Sequence, residues 1–188
     1  EKKEQAGRKL LITGKGRCNI TNTSTQSEYY RHIHPGGKFL KYAFSQFFSE
    51  DIIKLLHRYG VDTTEERGKR VFPSSGGSHD VVNALFKYAR ENGVAFRYGC
   101  KVIQIISEAR QIRGIWMEQN GKKEKIPAQK VIVCTGGKSY PATGSEGDGY
   151  RLAEEAGHKI ISPRPALVPL VTRESIPREL YNLVLKNV

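Results

Sequence analysis

Two glycine-rich stretches hold the residues with the clearest chemical use. The first is Thr13-Gly14-Lys15-Gly16-Arg17-Cys18-Asn19, in which two glycines alternate with two bases. Backbone N–H groups left open by glycine, next to cationic side chains, suit a phosphate. The GxxxxGK[ST] spacing of a triphosphate-binding loop is absent. The second is Thr135-Gly136-Gly137, followed by Gly144, Gly147 and Gly149. It lies between the apolar run Val131–Cys134 and a helix predicted over Tyr150–Ala156, which Gly157 ends. A strand, a glycine turn and a helix start can direct backbone N–H groups at an anionic ligand. The plainer alternatives are a tight turn and a solvated basic loop. His32 and His34 form an H-x-H pair with no third ligand nearby, so no metal site is expected. Cys18, Cys100 and Cys134 have neither CxxC nor zinc spacing and read as reduced thiols of a cytoplasmic protein.

The elements that must position these loops follow from periodicity and punctuation. Val131–Cys134 is a continuous apolar run, the pattern of a parallel strand buried on both faces. Lys101–Ile106, Gln111–Glu118 and Lys122–Pro127 read as an antiparallel meander, with a strong two-residue hairpin signal at Asn120-Gly121. Val94–Tyr98 reads as a further short strand. Helices are predicted over Phe39–Phe48, from Ser49-Glu50-Asp51 to Tyr59, and over His79–Asn92 with Ser78 as its cap; Gly60 and Gly93 end the last two. The aromatics at 39, 42, 44, 47 and 48 have helical spacing and are expected to be core. Residues 24–36 and 61–77 read as loops, and the four prolines of Pro163–Val188 mark an exit into other structure.

Composition narrows the class. A chain of 188 residues, 38% of them hydrophobic, can bury a core and suits one domain, or one and part of another. No apolar run approaches the roughly 20 residues of a membrane span. Thirty-one bases against 19 acids give a net charge of +12, which suits nucleic acid, a membrane surface or an anionic small ligand. The bases are scattered, with no aromatic-interleaved basic stripe. A solvated basic surface is therefore favoured over a nucleic-acid footprint.

Three blocks carry a resemblance. They are Gly7-Arg8-Lys9-Leu-Leu-Ile-Thr13-Gly14-Lys15-Gly16-Arg17-Cys18-Asn19-Ile-Thr21-Asn22, then Arg70-Val71-Phe72-Pro73, then Cys134-Thr135-Gly136-Gly137 through Gly144-Ser-Glu-Gly147-Asp148-Gly149. In one register, down to Pro165-Ala166-Leu167-Val168-Pro169-Leu170, they resemble the aminoacetone oxidase-like (BaiN/RdsA) family of NAD(P)/FAD-dependent oxidoreductases. The first block is the most specific; the third is shared in outline with glutathione-reductase-type flavoproteins.

The resemblance implies an α/β fold: a partial Rossmann-like FAD-binding domain over residues 1–170, with a parallel sheet, helices and a three-stranded antiparallel meander. Residues 171–188 would open a substrate-side insert. It implies FAD as cofactor, a small-molecule substrate such as an amine, and a nicotinamide as a candidate electron donor or acceptor. Glu1 falls where the family binds the adenosine ribose hydroxyls, and Arg8 and Lys9 fall on the diphosphate side. Thr13, Gly14, Gly16, Arg17, Cys18 and Asn19 would run along the diphosphate and ribityl chain. Val102 would read adenine through its backbone, and Thr135, Gly136 and Gly137 would pass close to the cofactor. The chain begins after the position of the family's GxGxxG turn, so the resemblance also implies a fragment. Two other readings stand beside it: a non-enzymatic basic nucleic-acid-binding module, and a remnant unable to hold FAD. Cys134 is expected to be a small buried apolar residue. No catalytic residue is assigned, and the oligomeric state is not set.

Overall fold

The structure is a computed structural model and describes residues 1–167 and Arg173. The chain divides into two units, Glu1–His158 and Lys159–Val188. The described part of the second unit has no helix or strand. Apart from Arg173, the expected insert at 171–188 lies outside the described residues.

The first unit opens with a segment of turns and a short helix, α1 (Arg8–Ile12). A 3-10 turn over Thr13–Gly16 leads to β1 (Thr21–Asn22). Next comes α2 (Gln26–His32), inside a segment that reads as loop. Its start is set by a capping box: the Thr25 hydroxyl accepts from the Glu28 N–H at 3.3 Å, and the Glu28 carboxylate accepts from the Thr25 N–H at 2.7 Å. The expected Phe39–Phe48 helix is a 3-10 turn over Gly37–Leu40 followed by α3 (Lys41–Gln46). Its aromatics separate into two sets. Phe44 and Phe48 pack with Tyr29 and Tyr30, whereas Phe39 is 89% and Tyr42 77% exposed, against the expectation that all are core.

Two amphipathic helices form the core. α4 (Ser49–Arg58) begins with the Asp51 carboxylate accepting from the Phe48 N–H at 2.7 Å. α5 (Ser78–Glu91) presents Val81, Val82 and Ala84 on one face. Leu56, Val61, Val81 and Ala84 bury together with Cys18. Residues 61–77, read as a loop, contain the hairpin β2 (Thr63–Glu66) and β3 (Arg70–Pro73). With β1 they make an antiparallel sheet in the order β1-β3-β2. Val71, Phe72 and Pro73 are its buried residues.

The meander has the expected form: β4 (Lys101–Glu108), β5 (Gln111–Gln119) and β6 (Lys122–Pro127), antiparallel in chain order. Asn120 and Gly121 have φ of 51° and 73°, the positive pair of a type I′ hairpin. A helix α6 (Asp148–Glu155) packs on β4, with Arg151 Nη1 donating to the Ile103 carbonyl at 2.8 Å.

Both sheets are antiparallel, and the parallel sheet expected around Val131–Cys134 is not present among the described residues. Val131–Cys134 and Val94–Tyr98 carry no strand ladder, and Ile132 is 87% exposed. A parallel strand gets its burial from neighbours on both edges and helices on both faces. No described strand lies beside this run; Val131 is half-buried, and Ile132 and Val133 are exposed. Cys134 is exposed, which corrects its reading as a small buried residue.

Two outcomes follow from these local structures. Gly114 is buried on β5 with φ of 152°, and a Cβ there would collide with the Ile126 carbonyl oxygen of β6. Gly114→Ala is expected to lower stability by about 2 kcal/mol or more, read from denaturant unfolding. The second concerns pH. The Thr25 backbone N–H, the Thr25 hydroxyl and Lys69 hold the Glu28 carboxyl down at about 2. A carboxyl depressed in the folded state stabilises it above the ordinary value of 4.5, and that stability is lost as pH falls toward 2. Glu28→Gln is expected to flatten the fall in melting temperature over that window.

Candidate functional site

Three segments far apart in sequence converge on one cavity of about 350 Å³. Its lining includes Glu1, Lys2, Val102, Cys134, Thr135 and Asp148. Glu1 is held by backbone bonds to the segment before β4. Its nitrogen donates to the Arg97 carbonyl at 3.0 Å, and its carbonyl accepts from the Cys100 N–H at 3.0 Å. Its carboxylate accepts from the Lys3 N–H at 2.9 Å. Val102 lies on β4, an edge strand, where the register shifts between Val102 and Gln104. Thr135 is brought in by α6. A Cβ on Gly149 would lie 2.6 Å from Thr135 Oγ1 and 3.2 Å from Val133 Cγ1, so glycine allows the helix to approach that closely.

A second cavity of about 500 Å³ is lined by Arg8, Leu11 and Ile12 on one side and Tyr140–Thr143 on the other. Thr143 lines both spaces. Tyr140 takes a left-handed conformation, φ 56° and ψ 63°, and its carbonyl accepts from the Thr143 hydroxyl at 2.7 Å. Lys9 Nζ donates to the Ser139 carbonyl at 2.9 Å and to the Ser139 hydroxyl at 3.0 Å, with Ser145 Oγ at 3.4 Å. The two residues expected on a diphosphate side, consecutive at the start of α1, therefore both meet the second glycine loop: Arg8 through a cavity wall, Lys9 through hydrogen bonds.

The first glycine loop is folded upon itself. Gly14, Lys15, Gly16 and Cys18 all have positive φ. The N–H groups of Arg17 and Cys18 donate to the carbonyls of Gly14 and Thr13, at 3.3 and 3.0 Å. The Thr13 hydroxyl donates to the Leu10 carbonyl at 2.7 Å. Arg17 forks onto the Glu66 carboxylate and stacks 4.3 Å from the Phe72 ring centroid. Arg17 thereby holds the Glu66 carboxyl below the usual range. A Cβ on Gly14 would lie 3.0 Å from both the Asn19 nitrogen and the Phe72 ring. Cys18 is 1% exposed, and burial pushes its thiol up, so its side chain belongs to the core. Asn19 is exposed.

The structure thus gathers Glu1, Val102 and Thr135 at one cavity and places Arg8 and Lys9 beside it. Thr13 to Asn19 form a turn against β3. Gly136 and Gly137 serve loop packing, since Cβ atoms there would meet Ser145 Oγ at 2.8 Å and Tyr150 Oη at 3.4 Å. Sequence reasoning passed over Lys2, Ser139, Ser145 and Asp148. The signal for two of them is the acidic pair Glu146-x-Asp148 among glycines of a basic chain, opposite Lys2-Lys3.

The cavity offers the groups that a nucleotide cofactor can use: a carboxylate able to accept from hydroxyls, an edge-strand backbone and a threonine hydroxyl beside a glycine turn. Residues 1–171 match the HI0933-like protein Rossmann domain. The chain is 29% identical over 180 residues to the ribosomal RNA dihydrouridine synthase of Escherichia coli, covering 96% of this chain and 43% of that protein. It is 32% identical over 174 residues to the 3-dehydro-bile acid delta(4,6)-reductase of Clostridium scindens, covering 93% and 41%. The chain thus spans about two-fifths of the length of these curated relatives. A flavocytochrome c3 fumarate reductase in its open conformation shares the fold over 70% of this chain and 28% of that one, with a TM-score of 0.54 at 20% identity. With residues 1–171 matched by that family's model, the chain belongs to the HI0933-like Rossmann-domain family of flavoprotein oxidoreductases.

Proposed function

We propose that this chain is the FAD-holding portion of a cytoplasmic oxidoreductase and that the 350 Å³ cavity takes the adenosine end of FAD. The observation that carries the reading is the convergence of Glu1, Val102 and Thr135, from three separate segments, on one space. Glu1 offers a carboxylate that two ribose hydroxyls can donate to, Val102 offers an edge-strand backbone to a base, and Arg8 stands beside the cavity as a cation for the diphosphate. FAD, when bound, supplies hydride and electron transfer. The chain's own residues bind and orient it. Thr13 to Asn19 and Gly136-Gly137 shape the loops along its length. Residues 1–170 form the FAD domain in this reading, and 171–188 begin a substrate-side insert.

The two relatives suggest the direction of the reaction. A dihydrouridine synthase and a delta(4,6)-reductase are both named for saturating carbon–carbon double bonds. Reduction of a double bond conjugated to a carbonyl is the reaction class we favour over amine oxidation, with a nicotinamide as the electron donor.

The 188-residue chain, incubated with FAD and desalted, is expected to keep absorbance bands near ~450 and ~370 nm. A colourless product would overturn the proposal that this chain alone holds the cofactor. Glu1→Gln is expected to weaken FAD binding about tenfold, the cost of losing charge-assisted hydrogen bonds. Fluorescence titration measures this, and an unchanged Kd would remove the ribose role of Glu1.

A further inference from the structure

Lys2 stands between two carboxylates of the segment opposite, of which Asp148 lines the cavity. Its Nζ lies 2.6 Å from Asp148 Oδ2 and 2.9 Å from Glu146 Oε2. The Lys2 and Asp148 side chains are each only 16% exposed, so solvent screens this pair less than the other ion pairs among the described residues. Burial disfavours the ammonium charge, yet the two carboxylates more than offset it and hold the Lys2 pKa above its ordinary value. Lys101 and Arg151 also bear on Asp148, and Lys3 on Glu146, without the hydrogen bonds that Lys2 makes. Gly144 lies against the Lys2 side chain, where a Cβ would be in ordinary contact with Lys2 Cε at 3.5 Å, and its φ of 102° is the left-handed backbone that glycine favours.

We propose that Lys2 is a positioning residue of the ligand cavity, a clamp that holds Gly144–Asp148 against the Glu1 segment and neutralises the Asp148 carboxylate that lines the cavity beside the bound anionic dinucleotide. The identity of the ligand rests on the FAD reading; the clamp itself does not. The argument is one of charge and place. Glu1 and Lys2 are adjacent, so one short segment supplies both the ligand-facing carboxylate and the cation that fixes the loop opposite. Glu146 and Asp148 are two residues apart and repel each other, and Asp148 is mostly buried at the first turn of α6. Without Lys2 the Asp148 carboxylate loses its direct partner in a poorly solvated place. The loop then relieves the strain by moving toward water, and the cavity wall presents the uncompensated Asp148 carboxylate to the anionic ligand.

The test compares wild type, Lys2→Met, Lys2→Arg and Asp148→Asn by amide hydrogen exchange and by FAD titration, all in the 188-residue chain. Lys2→Met and Asp148→Asn are expected to speed exchange of amides in 136–148 about tenfold. The amides of β4, β5 and β6 should exchange as in wild type. Lys2→Met should also raise the FAD Kd about tenfold, and Lys2→Arg should restore both values. Loop exchange unchanged in Lys2→Met overturns the clamp. Faster loop exchange with an unchanged FAD Kd overturns its role at the ligand cavity. Faster exchange throughout β4–β6 marks Lys2 as a general stabilising residue and overturns the proposal too. If wild type binds no FAD, the FAD reading falls, while the exchange comparison without FAD still decides the clamp.

Discussion

Residues 1–9 meet residues 135–148 across more than a hundred positions of sequence, and lysine side chains make most of the polar connection. Lys2 takes Glu146 and Asp148, and Lys9 takes Ser139 and reaches Ser145, which is 5% exposed. Closing so long a loop costs entropy, so the groups that hold it have to be stronger than surface pairs. The contrast with Lys54–Glu50 is instructive. Those side chains are 72% and 83% exposed at 3.4 Å, a geometry worth a few tenths of a kcal/mol. The Lys2–Asp148 pair is shorter and mostly buried, and it closes the cavity rather than decorating a helix. Everything assigned to that cavity, from the Glu1 carboxylate to Thr135, depends on the two segments staying together.

Legibility in the sequence followed the range of the forces involved. Asn120-Gly121 specified its hairpin because both residues accept positive φ, and the meander strands fell where the apolar alternation put them. α4 and α5 were legible from their apolar faces and terminating glycines. α2 could have been read as well, because Thr25-x-x-Glu28 is a capping box, but the polar composition around the two histidines hid it. The β2–β3 hairpin was missed for a different reason. Thr63-Thr64-Glu65-Glu66 has no apolar alternation, and its pairing is set by the buried Val71, Phe72 and Pro73 of its partner. Long-range placement was the least legible. Nothing in the sequence says that Arg17 spends its charge on Glu66 and Phe72, or that Cys18 turns into the core between Leu56 and Val81.

Glycine has two roles in the candidate site. At Gly14 and Gly16 it allows a backbone path that side chains resist. At Gly136 and Gly149 it allows protein to approach protein: Ser145 against the turn, Thr135 against α6. A sequence pattern typical of cofactor loops therefore also encodes the packing that shapes the loop before any ligand arrives. The two roles are compatible, since a wall built by close backbone packing is a rigid one, and rigidity lowers the ordering cost that binding must meet.

The bare segment at Val131–Cys134 has a colloidal consequence. Its backbone has no ladder partner among the described residues, and Ile132 and Val133 stand 87% and 42% exposed. An extended, apolar, unpaired run is a template on which a second chain can add a strand. What opposes that meeting is the mutual repulsion of molecules that each carry +12 charges. Repulsion of this kind reaches roughly 30 Å at 0.01 M ionic strength and only about 3 Å at 1 M. The electrostatic barrier to strand addition at this run therefore weakens as ionic strength rises.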